Sequence, residues 1–282
     1  KTITALADLE GKILKITKTG PSNLRNLGIK RAVLNIERGI LKVTENFEGQ
    51  TVSCFIALAA VEEEYREKKE EIKKALFKIP ELSKILKGKL TIGSDQLAAL
   101  KAGTDKKDGV ILIAGTGAVC HGWWKGEEAK VSGWGWLNDE GSGFWVGQKA
   151  FQAIFKALDG RGKKTKISEE VFKQFNVKNK EELMAKVYGF TDSPEDNFVK
   201  NVSLMSIAVD EAAKRGDKRA REIFTEAAKE LAKSAVLVIE KLSIEKEEFP
   251  LIFVGKMFES NIVFKEVKKG IKKVAPHIEL IR

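Results

Sequence analysis

A Gly-Thr-Gly turn at residues 115–117 is the first part of this sequence whose residue types could do chemistry. It directly follows an apolar run, Val110–Ala114. Glycine has no Cβ, so backbone N–H groups in such a turn can approach an anion closely, and the Thr116 hydroxyl adds a donor. A phosphate is the anion that suits this arrangement. A tight hairpin whose glycines need positive φ angles would use the same residues, and the local sequence leaves both interpretations open.

Two further candidates follow apolar runs in the same way. Asp95 comes after Leu90–Ile92, and Gly255 comes after Leu251–Val254. Ligands of open α/β sheets gather beyond the carboxyl ends of the strands. Asp95 would there be a carboxylate that accepts a proton from a hydroxyl attacking phosphorus, or it would cap a helix that begins at Gln96.

A segment rich in glycine and tryptophan, Ser132–Gly143, carries the acidic pair Asp139 and Glu140. Acidic residues between glycine-rich turns could cap the helix that follows. They could also hold a polyhydroxylated substrate through charge-assisted hydrogen bonds. Because few simple connections contain so much glycine and tryptophan, the segment favours a functional role.

The elements that position these residues follow from the apolar pattern. Residues 2–9 and 12–18 predict a hairpin that turns at Glu10-Gly11, and helical spacing begins at Ile29 and continues to Val43. The remaining predictions are strands at 51–60, 90–92, 109–114 and 251–254, and helices at 62–78, 96–102, 143–158 and 262–273, with a largely helical region at 168–242. Strands that alternate with helices indicate an α/β chain whose helices cover both sheet faces.

Composition narrows the class of protein. A chain of 282 residues, 43% of them hydrophobic, can bury a substantial core. The longest apolar runs, such as residues 55–61, are far below the roughly 18 residues that a membrane span needs. No secretion leader is recognisable, so we expect a cytoplasmic protein. The cysteines, Cys54 and Cys120, stand far apart and the histidines number 2, which disfavours a disulfide framework or a metal centre of side chains.

The net charge of +10 raises the question of a nucleic-acid partner. Lys and Glu are interleaved along predicted helices, as in residues 62–71, and no basic stripe alternates with aromatic residues. The charge therefore indicates a solvated surface, and we predict no nucleic acid and no membrane as partners. A charged content of 32%, rich in Lys and Glu, is typical of a thermophile's protein.

These motifs in order resemble the BadF/BadG/BcrA/BcrD ATPase family. The resemblance rests on Gly-Thr-Gly after a strand, on Gly-Trp-Gly leading into Asp-Glu-Gly-Ser, on Gly-Pro-Ser-Asn near the start and on a strand followed by Gly-x-Met-Phe-x-Ser-Asn near the end. Within the family, it is strongest to N-acetylglucosamine kinases and the archaeal broad-specificity hexokinase.

The resemblance implies an α/β fold with two ribonuclease-H-like lobes of the actin-like ATPase type around a cleft. The N-terminal lobe would span residues 1–103, and the C-terminal lobe would span 104–282 with a helical insertion at about 160–245. The resemblance also implies that the family's first strand with its phosphate loop, of which Lys1-Thr2 look like the end, and its last helix are missing.

The function implied is an ATP-dependent sugar kinase that phosphorylates the 6-hydroxyl of a hexose or N-acetylhexosamine, with ATP and Mg²⁺ as cofactors. Asp95 would be the catalytic base. The resemblance assigns the remaining site residues to the sugar (Asn23, Gly133 and Asp139) and to the nucleotide (Thr2, Gly115, Thr116, Gly117 and Gly255).

Several departures from the family pattern keep other functions open, among them a segment before Asp139 that is one residue shorter than usual, with Asn138 in place of a glycine. Ala118 stands where the family usually has Ser, and Lys256 stands where it usually has Gly. A regulatory member that binds sugar or nucleotide without turnover is one alternative. An ATPase that activates another enzyme is a second, although its bridging iron-sulfur cluster is disfavoured by two isolated cysteines. The resemblance also suggests a homodimer.

Overall fold

The computed structural model of the chain describes residues 1–58, 66–87, 89–189 and 198–282. It divides into two compact units, Lys1–Ala99 and Leu100–Arg282. The predicted lobe boundary after residue 103 falls at the end of a helix, Asp95–Gly103, that spans this division. The predicted strand end at 59–60 and the predicted helix start at 62–65 lie outside the described residues.

The first unit combines an antiparallel hairpin and a parallel strand pair with helices. Asp8 shapes the hairpin turn because its carboxylate accepts the backbone N–H groups of Glu10 and Lys12, and Gly11 takes a positive φ of 85°. The elements are the strands β1 (Thr2–Ala7), β2 (Ile13–Thr19), β3 (Cys54–Leu58) and β4 (Leu90–Ser94), and the helices α1 (Leu24–Thr44), α2 (Arg66–Phe77), α3 (Pro80–Leu86) and α4 (Asp95–Gly103).

The core of this unit lies between α1, α2, α3 and the parallel pair. Helix α1 is interrupted at Gly28, where φ is 69°, and from there Val33, Ile36 and Ile40 recur on one buried face. Strands β1 and β3 belong to separate sheets, and together with α1 they line a cavity of about 270 Å³.

The second unit is built on a mixed sheet with the strand order β7-β6-β5-β8-β9. Strand β5 pairs antiparallel with β6 and parallel with β8, so both of its edges are satisfied. The elements of this unit are the strands β5 (Gly109–Ala114), β6 (Ala118–Trp124), β7 (Glu127–Ser132), β8 (Pro250–Val254) and β9 (Glu279–Ile281), and the helices α5 (Gly143–Leu158), α6 (Lys166–Phe175), α7 (Lys180–Tyr188), α8 (Phe198–Lys214), α9 (Lys218–Lys241) and α10 (Asn261–Lys272).

Close backbone approaches make this unit dense. Val110, Ile111 and Leu112 of β5 are completely buried. Helix α9 lies close to β6 because Gly122 has no side chain; a Cβ there would be 2.7 Å from Leu242 Cδ1. Helices α5 and α8 also pack closely, since a Cβ on Gly147 would lie only 1.8 Å from the Val202 carbonyl oxygen. The apolar strand β5 therefore lies in a closely packed unit.

Most predicted elements are present, and the differences have local reasons. Helix α3 is not among the predicted elements, since the predicted helix at 62–78 ends just before Pro80; proline also fits the first position of a new helix. The hairpin of β6 and β7 is not among the predicted elements, because apolar and polar residues are mixed around its Lys125-Gly126 turn. Strand β9 has only 3 residues, Glu279–Ile281, too few for a periodic signal. None of the helices in the described ranges is long and apolar enough to cross a membrane.

Candidate active site

The Gly115-Thr116-Gly117 turn joins β5 to β6, whose antiparallel pairing extends to Ala114 and Ala118. It is therefore a hairpin turn, yet neither of its glycines has a positive φ. The Gly115 N–H donates to the Gly117 carbonyl across the turn at 2.9 Å, and Thr116 is exposed at the tip. The backbone angles of this turn do not require glycine. At Gly117 the requirement comes from the space around it, because a Cβ there would lie 2.7 Å from Asp139 Oδ2.

Backbone N–H groups at the start of α5 bind the backbone carbonyls of this loop. The N–H of Gly143 donates to the Gly115 carbonyl at 2.7 Å, and the N–H of Phe144 donates to the Thr116 carbonyl at 3.2 Å. A Cβ on Gly143 would lie 2.9 Å from the Gly115 oxygen. This contact therefore requires a residue without a side chain.

Ser142 satisfies the next donors of the helix. Its hydroxyl accepts the Trp145 N–H at 3.2 Å, and its carbonyl accepts the Val146 N–H at 3.0 Å. The first-turn amides of α5 are thus all used within the protein. Among the described residues, the N–H groups of Thr116 and Gly117 have no hydrogen-bond partner, so the donors available to an anion belong to the loop.

Gly255 brings the end of β8 against the end of β5. Its φ is 108°, and a Cβ on it would lie 2.3 Å from the Ala114 carbonyl oxygen. Both features exclude a side chain. Lys256 follows at the exposed start of a short 3₁₀ turn, Lys256–Glu259. The predicted nucleotide residues Gly115, Thr116, Gly117 and Gly255 are therefore neighbours at one end of the sheet.

Asp139 is buried beside this loop, with 4% of its surface exposed. One carboxylate oxygen, Oδ2, accepts the Ala118 N–H at 3.3 Å. The other, Oδ1, accepts from the Ser132 hydroxyl and from the N–H groups of Gly133, Trp134 and Gly135, at 3.0 to 3.3 Å. Gly133 and Asp139, both predicted to bind sugar, thus bond to each other; their contact with sugar stays a prediction.

The sequence left open whether Asp139 or Glu140 caps α5, and the structure gives the cap to Ser142. Ser142 was missed, although a serine directly before a helical pattern is a recognised start signal. Ala118 is 3% exposed and contributes its backbone N–H to Asp139. The serine hydroxyl that the family usually has at this position would therefore belong to a buried side chain.

In the first unit, Asp95 follows β4 and begins α4, with its side chain exposed. The Ser94 hydroxyl accepts the Leu97 N–H at 3.1 Å, which is the contact that an N-cap side chain makes. Because Ser94 provides this cap, an exposed carboxylate at the end of a strand is compatible with the role of a base. That role stays a prediction.

Thr2 and Asn23 are linked through the segment that joins β2 to α1. The Thr2 hydroxyl lies 2.7 Å from the Gly20 carbonyl and 2.9 Å from the Ser22 hydroxyl. Asn35 also donates to the Pro21 carbonyl at 2.7 Å, so the segment leading to Asn23 is held from two sides. Asn23 itself is half-buried at the start of α1. Nucleotide binding by Thr2 and sugar binding by Asn23 stay predictions.

The cysteines and histidines offer no competing site. Burial raises the pKa of the Cys54 thiol to about 11 and raises the pKa of Cys120 further, so neither is a thiolate at neutral pH. His121 is buried, stacks on Trp123 and lies 2.5 Å from a Glu128 oxygen. In the ranges that the structure covers, no three His, Cys, Asp or Glu side chains cluster in a way that could hold a metal ion.

Comparison with known proteins gives one relative that matches over the whole chain and one that matches over about two thirds of it. It is 29% identical over 290 residues to the N-acetylmuramic acid/N-acetylglucosamine kinase of Clostridium acetobutylicum, covering 100% of this chain and 90% of that protein. It is 31% identical over 196 residues to the N-acetyl-D-glucosamine kinase of Dictyostelium discoideum, covering 68% of this chain and 60% of that protein. These names agree with the enzyme class predicted from the sequence.

Solved structures share the fold. A Chromobacterium violaceum protein provisionally assigned as an N-acetylglucosamine kinase matches with a TM-score of 0.71 at 20% identity, over 97% of this chain and 88% of its own. A ROK family glucokinase from Streptomyces griseus, solved with glucose and AMPPNP, matches with a TM-score of 0.52 at 16% identity, over 98% and 89% of the two chains. The predicted α/β fold is confirmed, and these solved structures share it. Since a model of the family also matches residues 1–280, this chain belongs to the BadF/BadG/BcrA/BcrD ATPase family.

Proposed function

We propose that this chain is an ATP-dependent kinase that transfers the γ-phosphoryl group of ATP to the 6-hydroxyl of a hexose or N-acetylhexosamine. Family membership and the amino-sugar kinases among its relatives support the reaction class. The observation that carries the proposal is the Gly115-Thr116-Gly117 loop, which is held firmly and still presents free donors. Such a preorganised set of backbone donors is what a nucleotide phosphate needs.

The nucleotide would bind at the sheet end formed by β5 and β8. The amides of Thr116 and Gly117 and the Thr116 hydroxyl would donate to phosphate oxygens, and Gly255 leaves the neighbouring strand end without a side chain. Mg²⁺ would arrive with the nucleotide and neutralise charge on its phosphates. Thr2 is proposed as a further nucleotide contact.

The proposed sugar contacts are Asn23, Gly133 and Asp139, the residues that the family resemblance assigns to the acceptor. Asp95 would accept the proton of the sugar 6-hydroxyl while the hydroxyl oxygen attacks the γ-phosphorus. A new O–P bond forms to the sugar, the bond between the γ-phosphorus and the β,γ-bridging oxygen breaks, and ADP leaves with that electron pair. The products are a sugar 6-phosphate, ADP and a proton.

Coupled ADP release by the full-length protein tests this proposal, with ATP, Mg²⁺ and, in turn, N-acetylglucosamine, glucose, glucosamine and mannose. We expect sugar-dependent turnover that Asp95→Asn lowers by about a thousandfold or more, since the variant lacks the base. Asp105→Asn, another exposed carboxylate, is the matched control and should retain turnover. Equal turnover in wild type and Asp95→Asn would contradict the assignment of the base.

The alternative is a regulatory member that binds sugar or nucleotide without turnover. Exposed Lys256, in place of the family's glycine after Gly255, favours it, because a long cationic side chain would change how a nucleotide sits. Measurable ADP binding together with no sugar-dependent ADP release from any of these sugars would support the alternative over the kinase.

A further inference from the structure

We infer that Asp139 is a positioning residue of the Gly115-Thr116-Gly117 loop: its carboxylate fixes the exit of the loop and thereby the direction of the loop's free donors. This role competes with the sugar contact proposed above for the same residue, and the experiment below decides between the two. The inference rests on the proposed function in one respect, since it takes the ligand of the loop to be a nucleotide phosphate.

The first step is that the carboxylate is itself immobile. Ser132, Gly133 and Gly135 have positive φ angles of 67°, 82° and 115°. In a turn of this kind successive backbone N–H groups converge on one point, which forms a binding site for an anion. Asp139 Oδ1 occupies this point, where backbone N–H groups donate at 3.0 to 3.3 Å. A charged acceptor makes these bonds stronger than neutral ones would be.

The second step is that the other carboxylate oxygen of Asp139, Oδ2, contacts the loop. Oδ2 accepts the Ala118 N–H at 3.3 Å and lies 2.7 Å from where a Cβ on Gly117 would be. The contact explains the glycine at 117, whose φ is not in the left-handed region. Gly117, the last residue of the loop, and Ala118, the first residue of β6, thus both lie against the Asp139 carboxylate.

The third step is that one short segment holds both sides of the loop. Asp139 contacts its exit, and Gly143 and Phe144, at the start of α5, bind the Gly115 and Thr116 carbonyls. With the carbonyls turned toward α5 and the exit held by Asp139, the N–H groups of Thr116 and Gly117 are left free. The geometry of the anion site therefore depends on the segment from Asp139 to Phe144.

A direct contact with sugar would compete with this arrangement. Asp139 is 4% exposed, and both of its oxygens already accept hydrogen bonds. A sugar hydroxyl donating to Oδ2 would have to share that oxygen with the Ala118 N–H. The two roles predict different losses of affinity when the carboxylate is changed.

The test uses the full-length protein and measures the affinities for Mg²⁺–ADP and for N-acetylglucosamine separately by isothermal titration calorimetry. Asp139→Asn keeps an oxygen for the glycine-rich turn but places an amide donor against the Ala118 N–H. Gly117→Ala leaves the carboxylate intact and pushes a methyl group against Oδ2. We expect each variant to weaken ADP binding by about tenfold or more and to change sugar binding less than about twofold.

Two controls make the result specific. Ser132→Ala removes one hydrogen bond to Oδ1 without touching the loop, and it should keep ADP affinity within about threefold. In the double variant Asp139→Asn, Gly117→Ala, the losses should not multiply, because both changes break one contact. If Asp139→Asn does not fold, the Gly117→Ala variant with its intact carboxylate still tests the contact.

Loss of sugar affinity with unchanged ADP affinity in Asp139→Asn would overturn the positioning role, and so would losses that multiply in the double variant. Failure of the kinase proposal is a separate result: wild-type protein would then release no ADP with sugar, while the ADP affinities of the variants would still decide the role of Asp139.

Discussion

The backbone N–H of Gly143 donates to the carbonyl of Gly115 at 2.7 Å, so the first residue of α5 holds the turn that follows β5. Helix N-termini often bind phosphate directly through their unsatisfied N–H groups. Here the amides of the first turn are used within the protein, two of them on the loop itself. The helix therefore supports an anion site that the neighbouring turn provides.

Gly115→Ala should lower nucleotide affinity without lowering stability. A Cβ at 115 would meet no atom within 4 Å, and the residue's φ is not positive, so the folded protein accepts alanine. A methyl group would, however, occupy space that a phosphate needs. We expect ADP affinity to fall about tenfold or more and unfolding free energy to stay the same or rise by up to about 1 kcal/mol.

Calorimetric titration with Mg²⁺–ADP and urea unfolding would measure the two effects. Gly126→Ala is the matched control with the opposite expectation: its φ of 93° strains alanine, at a cost of about 1 kcal/mol, while ADP affinity should not change. Unchanged ADP affinity in Gly115→Ala would show that phosphate does not approach this turn.

Asp217→Ala should destabilise the second unit by about 2–4 kcal/mol. The side chain is 9% exposed and caps two helices at once. Its carboxylate accepts the Ala220 N–H of α9 at 2.8 Å, the Lys166 N–H of α6 at 2.7 Å and the Thr165 hydroxyl at 3.0 Å. Removing it leaves these donors of both helices without their acceptor.

Urea unfolding followed by circular dichroism would measure this loss. Glu222→Ala, which removes only an exposed ion pair with Arg219, is the control and should cost less than about 0.5 kcal/mol. Equal unfolding midpoints for Asp217→Ala and wild type would refute the double cap.

The stability of the protein should fall between pH 9 and 11, in part because of Cys54. Burial raises the pKa of this thiol from 9.0 to about 11 in the folded state. The unfolded thiol therefore loses its proton first, and over this window each pH unit removes up to about 1.4 kcal/mol of unfolding free energy. Below pH 9 both states are protonated and the effect is absent.

Cys54→Ala should make the pH dependence in this window shallower than in wild type, by up to about 2 kcal/mol over the whole range. Urea unfolding at a series of pH values would show this, because comparing slopes cancels the constant loss of packing. Parallel curves for the two proteins would mean that Cys54 does not titrate as its burial requires.

Much of the site could be predicted from sequence because its signals are local. A strand ending in Gly-Thr-Gly, an aspartate after Leu90–Ile92 and a glycine after Leu251–Val254 place candidates at strand ends through the geometry of α/β sheets alone. The order of the motifs along the chain was sufficient for the family. Ser142 carried a local signal that was missed, a serine directly before a helical pattern. Ser132 gave no comparable signal, since its hydroxyl reaches Asp139 only through the folding of the glycine-rich segment.

The amino-acid sequence by itself determined the elements and the family, because apolar periodicity and turn residues act over a few positions. Tertiary structure decided what the glycines and Asp139 do. Neither glycine of the 115–117 turn is needed for its φ angle; Gly117 is needed because Asp139 Oδ2, 22 positions along the chain, lies 2.7 Å from its missing Cβ. A distance of that kind depends on how β5, β6 and α5 pack together, and no local pattern contains it.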